Sequence, residues 1–205
     1  MTPQQKMKKL PEIYQLKITL QDIRPPIWRR IQVPGFITLN QLHEIIQEAV
    51  GWENYHLHLF EIGRDTYTAP GMDEDWDDVG SEDEDETKYA LEEVVIRPGQ
   101  RFRYTYDFGD GWDHSIFVEE ILPAEKGVKY PVCLAGKRAC PPEDCGGPWG
   151  YEELLEALRD PHHERHKELT KWVGGKLDPE DFKLEKVNAR LKSVRPSARR
   201  RNPAH

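Results

Sequence analysis

Serine, cysteine and long apolar runs are scarce in this chain of 205 residues, and each scarcity excludes something. Serine occurs four times, at Ser81, Ser115, Ser193 and Ser197. Only Ser115 falls in a segment patterned for regular structure, and no G-x-S-x-G elbow surrounds it, so a serine nucleophile finds no support. Three cysteines cannot build a disulfide framework, and they suit a reducing, cytoplasmic compartment. No apolar run approaches the ~20 residues of a membrane-spanning helix. Residues 1–10 carry lysines but no apolar centre, so a secretory leader is not expected. Positive charge is also short: the net charge is −8 and the pI about 5.5, which argues against a general nucleic-acid coat but leaves room for a local basic patch. What is present is aromatic. Six Trp, eight Tyr and six Phe in a 24.0 kDa chain are enough for a packed core in one domain.

The charges are unevenly spread. Residues 71–86 hold ten Asp or Glu and no Lys or Arg, which reads as a solvated, mobile loop inside a single domain spanning 11–192. Residues 193–205 contain no acid and two prolines, and read as a basic disordered tail. There Arg199, Arg200 and Arg201 offer contacts to phosphate.

Period-two alternation over 13–20 and 27–33, separated by Arg24-Pro25-Pro26, predicts a β-hairpin. Leu42, Ile45, Ile46 and Ala49 recur at helical spacing after the capping oxygens of Thr38 and Asn40, and Gly51 ends the run. Further strands are expected over 57–62, 102–108 and 115–121, with a short apolar segment at 91–95. Residues 123–150 are rich in Pro, Gly and Cys and have no period. Helices are expected over 151–158, 162–173 and 182–191. Strands lead and helices follow, which predicts an α+β fold: a β-grasp-like roll with a mixed, mainly antiparallel sheet and a C-terminal helical segment.

Three groups of residues could carry chemistry. The first is Asp107, Asp110 and Asp113 in a glycine-bent turn beside His114. Carboxylates repeating in such a turn either converge on a hard cation or bond their own backbone above a packed Trp112. Asp107-Phe108-Gly109 also spells a kinase metal triplet, but the accompanying kinase motifs are missing. The second is Cys133, Cys140 and Cys145, for which His114 is the nearest fourth ligand of a structural zinc. The alternative is three reduced thiols used as small apolar groups. The third is histidine-based: His162, His163 and His166 share a helix face, and His56 and His58 share a strand face, where they either join a site or line the sheet. The carboxylates at 75, 77 and 86 fit a calcium loop only in part, because Val79 stands where a ligand is needed. Gly146-Gly147-Pro148-Trp149-Gly150 lacks the Lys of a nucleotide loop.

The run Tyr106-Asp107-Phe108-Gly109-Asp110-Gly111-Trp112-Asp113-His114, followed by Cys140-Pro141-Pro142-Glu143-Asp144-Cys145-Gly146-Gly147 and Tyr151, resembles the plasmid pRiA4b ORF-3-like family. Ile23-Arg24-Pro25-Pro26-Ile27-Trp28-Arg29-Arg30, His56-Leu57-His58, Trp172-Val173-Gly174 and Asn188 extend the resemblance over about residues 13–192. It implies an association with mobile genetic elements, in which members travel as insertion-sequence passengers, some labelled TnpR. It brings no activity and no catalytic residues. The resulting expectation is a cytoplasmic interaction module for a protein or nucleic-acid partner. Its surface would be formed by Asp107, Asp110, Trp112, Asp113, His114, Glu143, Asp144, Gly146, Gly147 and Tyr151. The alternative is a metal-dependent hydrolase or nuclease using Asp107, Asp110, Asp113 and His114.

Overall fold

The computed structural model describes residues 11–71 and 83–198. Its sheet has eight strands: β1 (Glu12–Leu20), β2 (Trp28–Pro34), β3 (His58–Ile62), β4 (Asp65–Thr68), β5 (Glu84–Asp85), β6 (Arg101–Tyr106), β7 (Trp112–Pro123) and β8 (Val132–Lys137). The helices are α1 (Leu39–Val50), the single turn α2 (Leu91–Val94), α3 (Gly147–Arg159), α4 (His166–Trp172) and α5 (Leu184–Leu191). The strand order is β5-β4-β3-β6-β7-β1-β2-β8. Every pairing is antiparallel except the two-residue contact of β4 with β5. The α+β class and the mainly antiparallel sheet agree with the sequence; the finer β-grasp-like description is not confirmed.

Alternation decides the two faces of the sheet. Leu16, Ile18, Ile31, Val33, Phe60, Tyr104, Ile116 and Val118 are buried on one face, while the residues between them are at least partly exposed. The helical stripe Leu42, Ile45, Ile46 and Ala49 of α1 is fully buried in the same core. The Thr38 side chain accepts from the Gln41 N–H, and Gly51 at φ 93° closes the helix in the left-handed conformation that glycine adopts without strain.

Several expectations shift. The segment at 91–95 forms the helical turn α2, and α4 begins only at His166, after a turn. The aperiodic stretch 123–150 conceals β8, and β4 and β5 were not anticipated. The acidic run is not wholly apart from the fold: Glu84 and Asp85 form β5, and Glu86 is completely buried against His58. The rest of that run, 72–82, and the tail arginines Arg199, Arg200 and Arg201 lie outside the described residues.

Candidate metal centre

Three loops meet beyond one end of β3 and β6. Antiparallel pairing sets His58 opposite Tyr106, so the loop before β3 and the turn after β6 are neighbours, joined by Asp107 N–H donating to the Leu57 carbonyl at 2.8 Å. The third loop, between β8 and α3, is drawn in by Trp52 Nε1–H donating to the Pro141 carbonyl at 2.8 Å. Glu143 completes the junction by accepting from the Tyr106 hydroxyl and the Glu53 N–H, each at 2.6 Å.

This junction gathers His56, Asp107 and Asp144. Among the described residues they are the one group of three His, Cys, Asp or Glu side chains whose ligating atoms all lie within 4.8 Å of one another. His56 Nε2 is 3.1 Å from Asp144 Oδ1 and 3.5 Å from Asp107 Oδ2. An ion about 2.1 Å from each donor would set adjacent donors about 3.0–3.4 Å apart, so both separations suit neighbouring ligands of one metal. The other carboxylate oxygens are already engaged. Asp107 Oδ1 accepts from Gly109 N–H at 3.0 Å and Asp110 N–H at 3.3 Å, and Asp144 Oδ2 accepts from the Tyr55 hydroxyl at 2.8 Å. Each aspartate is thus oriented through one oxygen and presents the other to His56, an outer-shell arrangement typical of metal ligands. His56 Nε2 is buried and makes no aligned hydrogen bond.

The local backbone is specialised as well. Asn54, Asp107 and Asp144, one in each loop, have φ of 61°, 56° and 58°. Asn and Asp tolerate this left-handed region better than other side chains, at some cost that the surrounding hydrogen bonds must offset. The Asp144 carboxylate beside its phenol pushes the Tyr55 pKa up to about 12. Burial, then the hydrogen bond to Glu143, raises that of Tyr106. Asp144 is 58% exposed and Asp107 10%, so the cluster opens to solvent on the Asp144 side.

The expected three-aspartate cluster does not converge. Asp110 Oδ2 accepts from the Gly146 N–H at 3.1 Å, and Asp113 accepts from the Thr105 hydroxyl on the opposite strand. Trp112, His114 and Tyr151 are buried in the core and present no surface. Burial lowers the His114 pKa to about 4, and its Nδ1 faces the Trp112 carbonyl. Nor are the zinc candidates drawn together: no three of Cys133, Cys140, Cys145 and His114 meet the same 4.8 Å test. The cysteines are free thiols whose pKa values burial raises, Cys145 to about 12, and Cys140 Sγ instead accepts from Arg29 Nη2. Of the histidine groups, His166 Nδ1 contacts the Ala157 carbonyl at 2.7 Å and His58 turns inward to Glu86. Gly146 and Gly147 seat α3 against the Asp107 turn, where a Gly147 Cβ would overlap the Asp110 carbonyl. The sequence placed Asp107 and Asp144 on one expected surface; it did not bring His56 to them, and it gave Tyr55 no role.

An α+β fold with this loop junction defines the class of molecule, and the comparisons fix its family. The pattern of the family described as plasmid pRiA4b ORF-3-like protein matches residues 12–186, and the chain belongs to that family. It is 45% identical over 163 residues to the uncharacterized protein y4hQ of Sinorhizobium fredii (strain NBRC 101917 / NGR234), covering 79% of this chain and 81% of that one. It is also similar to the crystal structure of MM3350, a protein of unknown function from Methanosarcina mazei Go1. That match has 42% identity and a TM-score of 0.76, and covers 86% of this chain and 97% of the other. None of these descriptions states an activity, and none mentions TnpR or a transposable element. No helix among the described residues is long and apolar enough to cross a membrane.

Proposed function

We propose that the protein is a divalent-metal-binding module in which His56, Asp107 and Asp144 hold one ion and so lock three loops into a single recognition surface. One observation carries this reading: a buried imidazole nitrogen without an aligned hydrogen bond faces one free oxygen from each of two otherwise anchored carboxylates. Two carboxylates and one imidazole suit Mn²⁺, Zn²⁺ or Fe²⁺ better than a thiolate-seeking ion. No lysine or arginine among the described residues pairs with either aspartate, so a cation would relieve their mutual repulsion. A cytoplasmic setting, supported by the three free thiols, belongs to the same proposal.

A second reading, metal-assisted hydrolysis, has its own support. Three protein donors leave coordination positions for water, and the open side at Asp144 would admit a substrate oxygen. Metal-stripped protein titrated with Mn²⁺ or Zn²⁺ tests the shared premise. The expected result is one ion per chain and a raised melting temperature, because a ligand of the folded state stabilises it by mass action. Both effects should vanish in His56→Ala and Asp144→Asn. Binding that survives in both variants, or none at millimolar metal, would sink the proposal. Turnover of a chromogenic phosphodiester or ester by loaded wild type, lost in Asp144→Asn, would promote the second reading over the first.

A further inference from the structure

The face of the sheet opposite the core carries an ordered pattern of cations, aromatic rings and hydroxyls. Register aligns two rows across it. In one row Arg30 of β2, Lys17 of β1, Phe117 of β7 and Arg101 of β6 stand side by side. In the next, Lys137 of β8 is followed by Trp28, Thr19, Ser115 and Arg103. None of these side chains is buried. The cations lie over the rings: Lys17 Nζ is 5.2 Å and the Arg30 guanidinium 5.4 Å from the Trp28 centroid, and the Arg101 guanidinium is 4.2 Å from that of Phe117.

Charge sets this face apart from the rest of the molecule. Its carboxylates are Glu119, held by Arg30 at 2.7 Å; Glu120, whose charge also acts on Arg30; Glu61 and Asp113, at 3.2 and 3.9 Å from Arg103; and Asp22 at the margin. Five cations and five acids therefore balance here, on a chain whose net charge is −8, so this face is less acidic than the remainder. Beyond Arg101 and Arg103 the face dips into a concavity of about 390 Å³, whose wall includes Gln21, Asp22 and Ser115.

We infer that this sheet face binds single-stranded nucleic acid. A flat, antiparallel surface suits an extended strand with unpaired bases. Trp28 and Phe117 lie two strands apart, about 10 Å across the sheet, and the guanidiniums layered on them offer planar surfaces on which bases stack. Lys17, Arg101 and Lys137 are spread across both rows to meet the phosphates, and Thr19 and Ser115 supply hydroxyls between them. A purely acidic protein partner would use the cations and leave the rings idle, whereas a duplex would hide the base faces that the rings need. Repulsion from the remainder of the acidic molecule would disfavour contact elsewhere and direct a strand to this face. The inference uses none of the metal-site residues and stands independently of the proposal above.

Fluorescence anisotropy with labelled 12-nucleotide single-stranded DNA and RNA of mixed sequence tests it, alongside the matching duplexes and heparin as a competitor. Expected are binding to a single strand in preference to the duplex, and an affinity that falls steeply with salt. Trp28→Ala should weaken binding about tenfold through loss of a stacking platform. The Lys17→Glu/Arg101→Glu pair should weaken it more and flatten the salt dependence. Lys186→Glu, on α5, should change neither. If Trp28→Ala melts early, Trp28→Phe should keep most of the affinity, and photocrosslinking of a halogenated uridine strand should still label Trp28 or Phe117 in the wild type. Absence of binding at low salt would overturn the inference. So would equal affinity for duplex, matched displacement by heparin with Trp28→Ala neutral, or crosslinks confined to the helical side.

Discussion

At the scale of single residues, the candidate centre depends on positions where a side chain would be intolerable as much as on positions where one is needed. Gly147 has φ 69°, and a Cβ there would overlap the Asp110 carbonyl; at Gly150 it would overlap that of Cys145. Gly63 has a nearly identical φ of 72° and open space around it. The pair separates backbone strain from steric contact. Gly63→Ala should cost about 1 kcal/mol, the penalty of the left-handed conformation alone. Gly147→Ala should cost about 2–4 kcal/mol in urea unfolding, because the start of α3 must also move off the Asp107 turn. It should weaken Mn²⁺ binding as well, through displacement of the loop that carries Asp144. Equal losses in the two variants would show that the approach of α3 is not held by contact at Gly147. The same residues mark the limit of what the sequence discloses. A double glycine before a helix is visible as a turn, and Asp107 and Asp144 stand out as acids in turns. Their meeting with His56 is not visible, since it needs three loops separated by 51 and 37 positions to close on one point. No local pattern encodes that closure.

Between elements, one link is a buried polar stack. The His43 ring of α1 lies parallel to that of His58 in β3, with centroids 3.4 Å apart. His58 Nε2 is 2.9 Å from Glu86, while His43 contacts the Tyr104 hydroxyl at 2.7 Å and Asn54 Oδ1 at 2.6 Å. Asn54 lies two residues before His56, so this stack anchors the loop that carries the proposed metal ligand. Burial, with the neighbouring His58 opposing a second charge, lowers the His43 pKa to about 3; burial lowers that of His114 to about 4. Both lie below the unfolded value of about 6.5. Between these limits the unfolded chain binds more protons than the folded one, so stability must fall as pH drops from about 6.5 towards 4. Each histidine contributes a slope of up to roughly 1.4 kcal/mol per pH unit across its window. Urea midpoints at pH 7.0, 6.0 and 5.0 should decline, and His114→Gln should reduce the decline while lowering stability at pH 7. A flat wild-type profile would mean that the buried rings already carry charge. Elements like α1 and the β1–β2 hairpin were legible because their apolar residues recur at 3.6 or 2. β8 was not, because its short run Val-Cys-Leu-Ala-Gly-Lys is broken by a register shift and Gly136, and its partner β2 lies about a hundred residues away. β5 was hidden for a different reason: an acidic run reads as solvated unless one of its members, here Glu86, finds a buried imidazole.

For the molecule as a whole, a single open sheet with its helices on one side must manage two edges. One edge, β5, is two residues long and offers little to a second chain. The other, β8, has six residues and a partly exposed strand, and α5 covers it. Asn188 of α5 behaves as a substitute strand: its Oδ1 accepts from the Cys133 N–H at 2.8 Å and its Nδ2 donates to the Cys133 carbonyl at 2.9 Å. Val187 and Leu191 are buried beside it, and Arg190 Nε donates to the Glu48 carbonyl of α1 at 2.8 Å, so α5 ties the edge strand to the central helix. Asn188→Ala removes both edge hydrogen bonds and leaves a backbone donor and acceptor of a half-buried strand without partners. The expected cost is about 1–3 kcal/mol in chemical unfolding, the penalty for unsatisfied buried groups. It should be accompanied by concentration-dependent association in sedimentation velocity, because the freed edge becomes a template for another strand. Asn188→Asp is the informative companion. A carboxylate can still accept from the Cys133 N–H but can no longer donate to the carbonyl, so it should fall between wild type and alanine in stability. Its charge at the edge should also suppress association. If the alanine variant stays monomeric and as stable as wild type, the protection of β8 comes from the apolar contacts of Val187 and Leu191, and the side-chain mimicry of a strand is incidental.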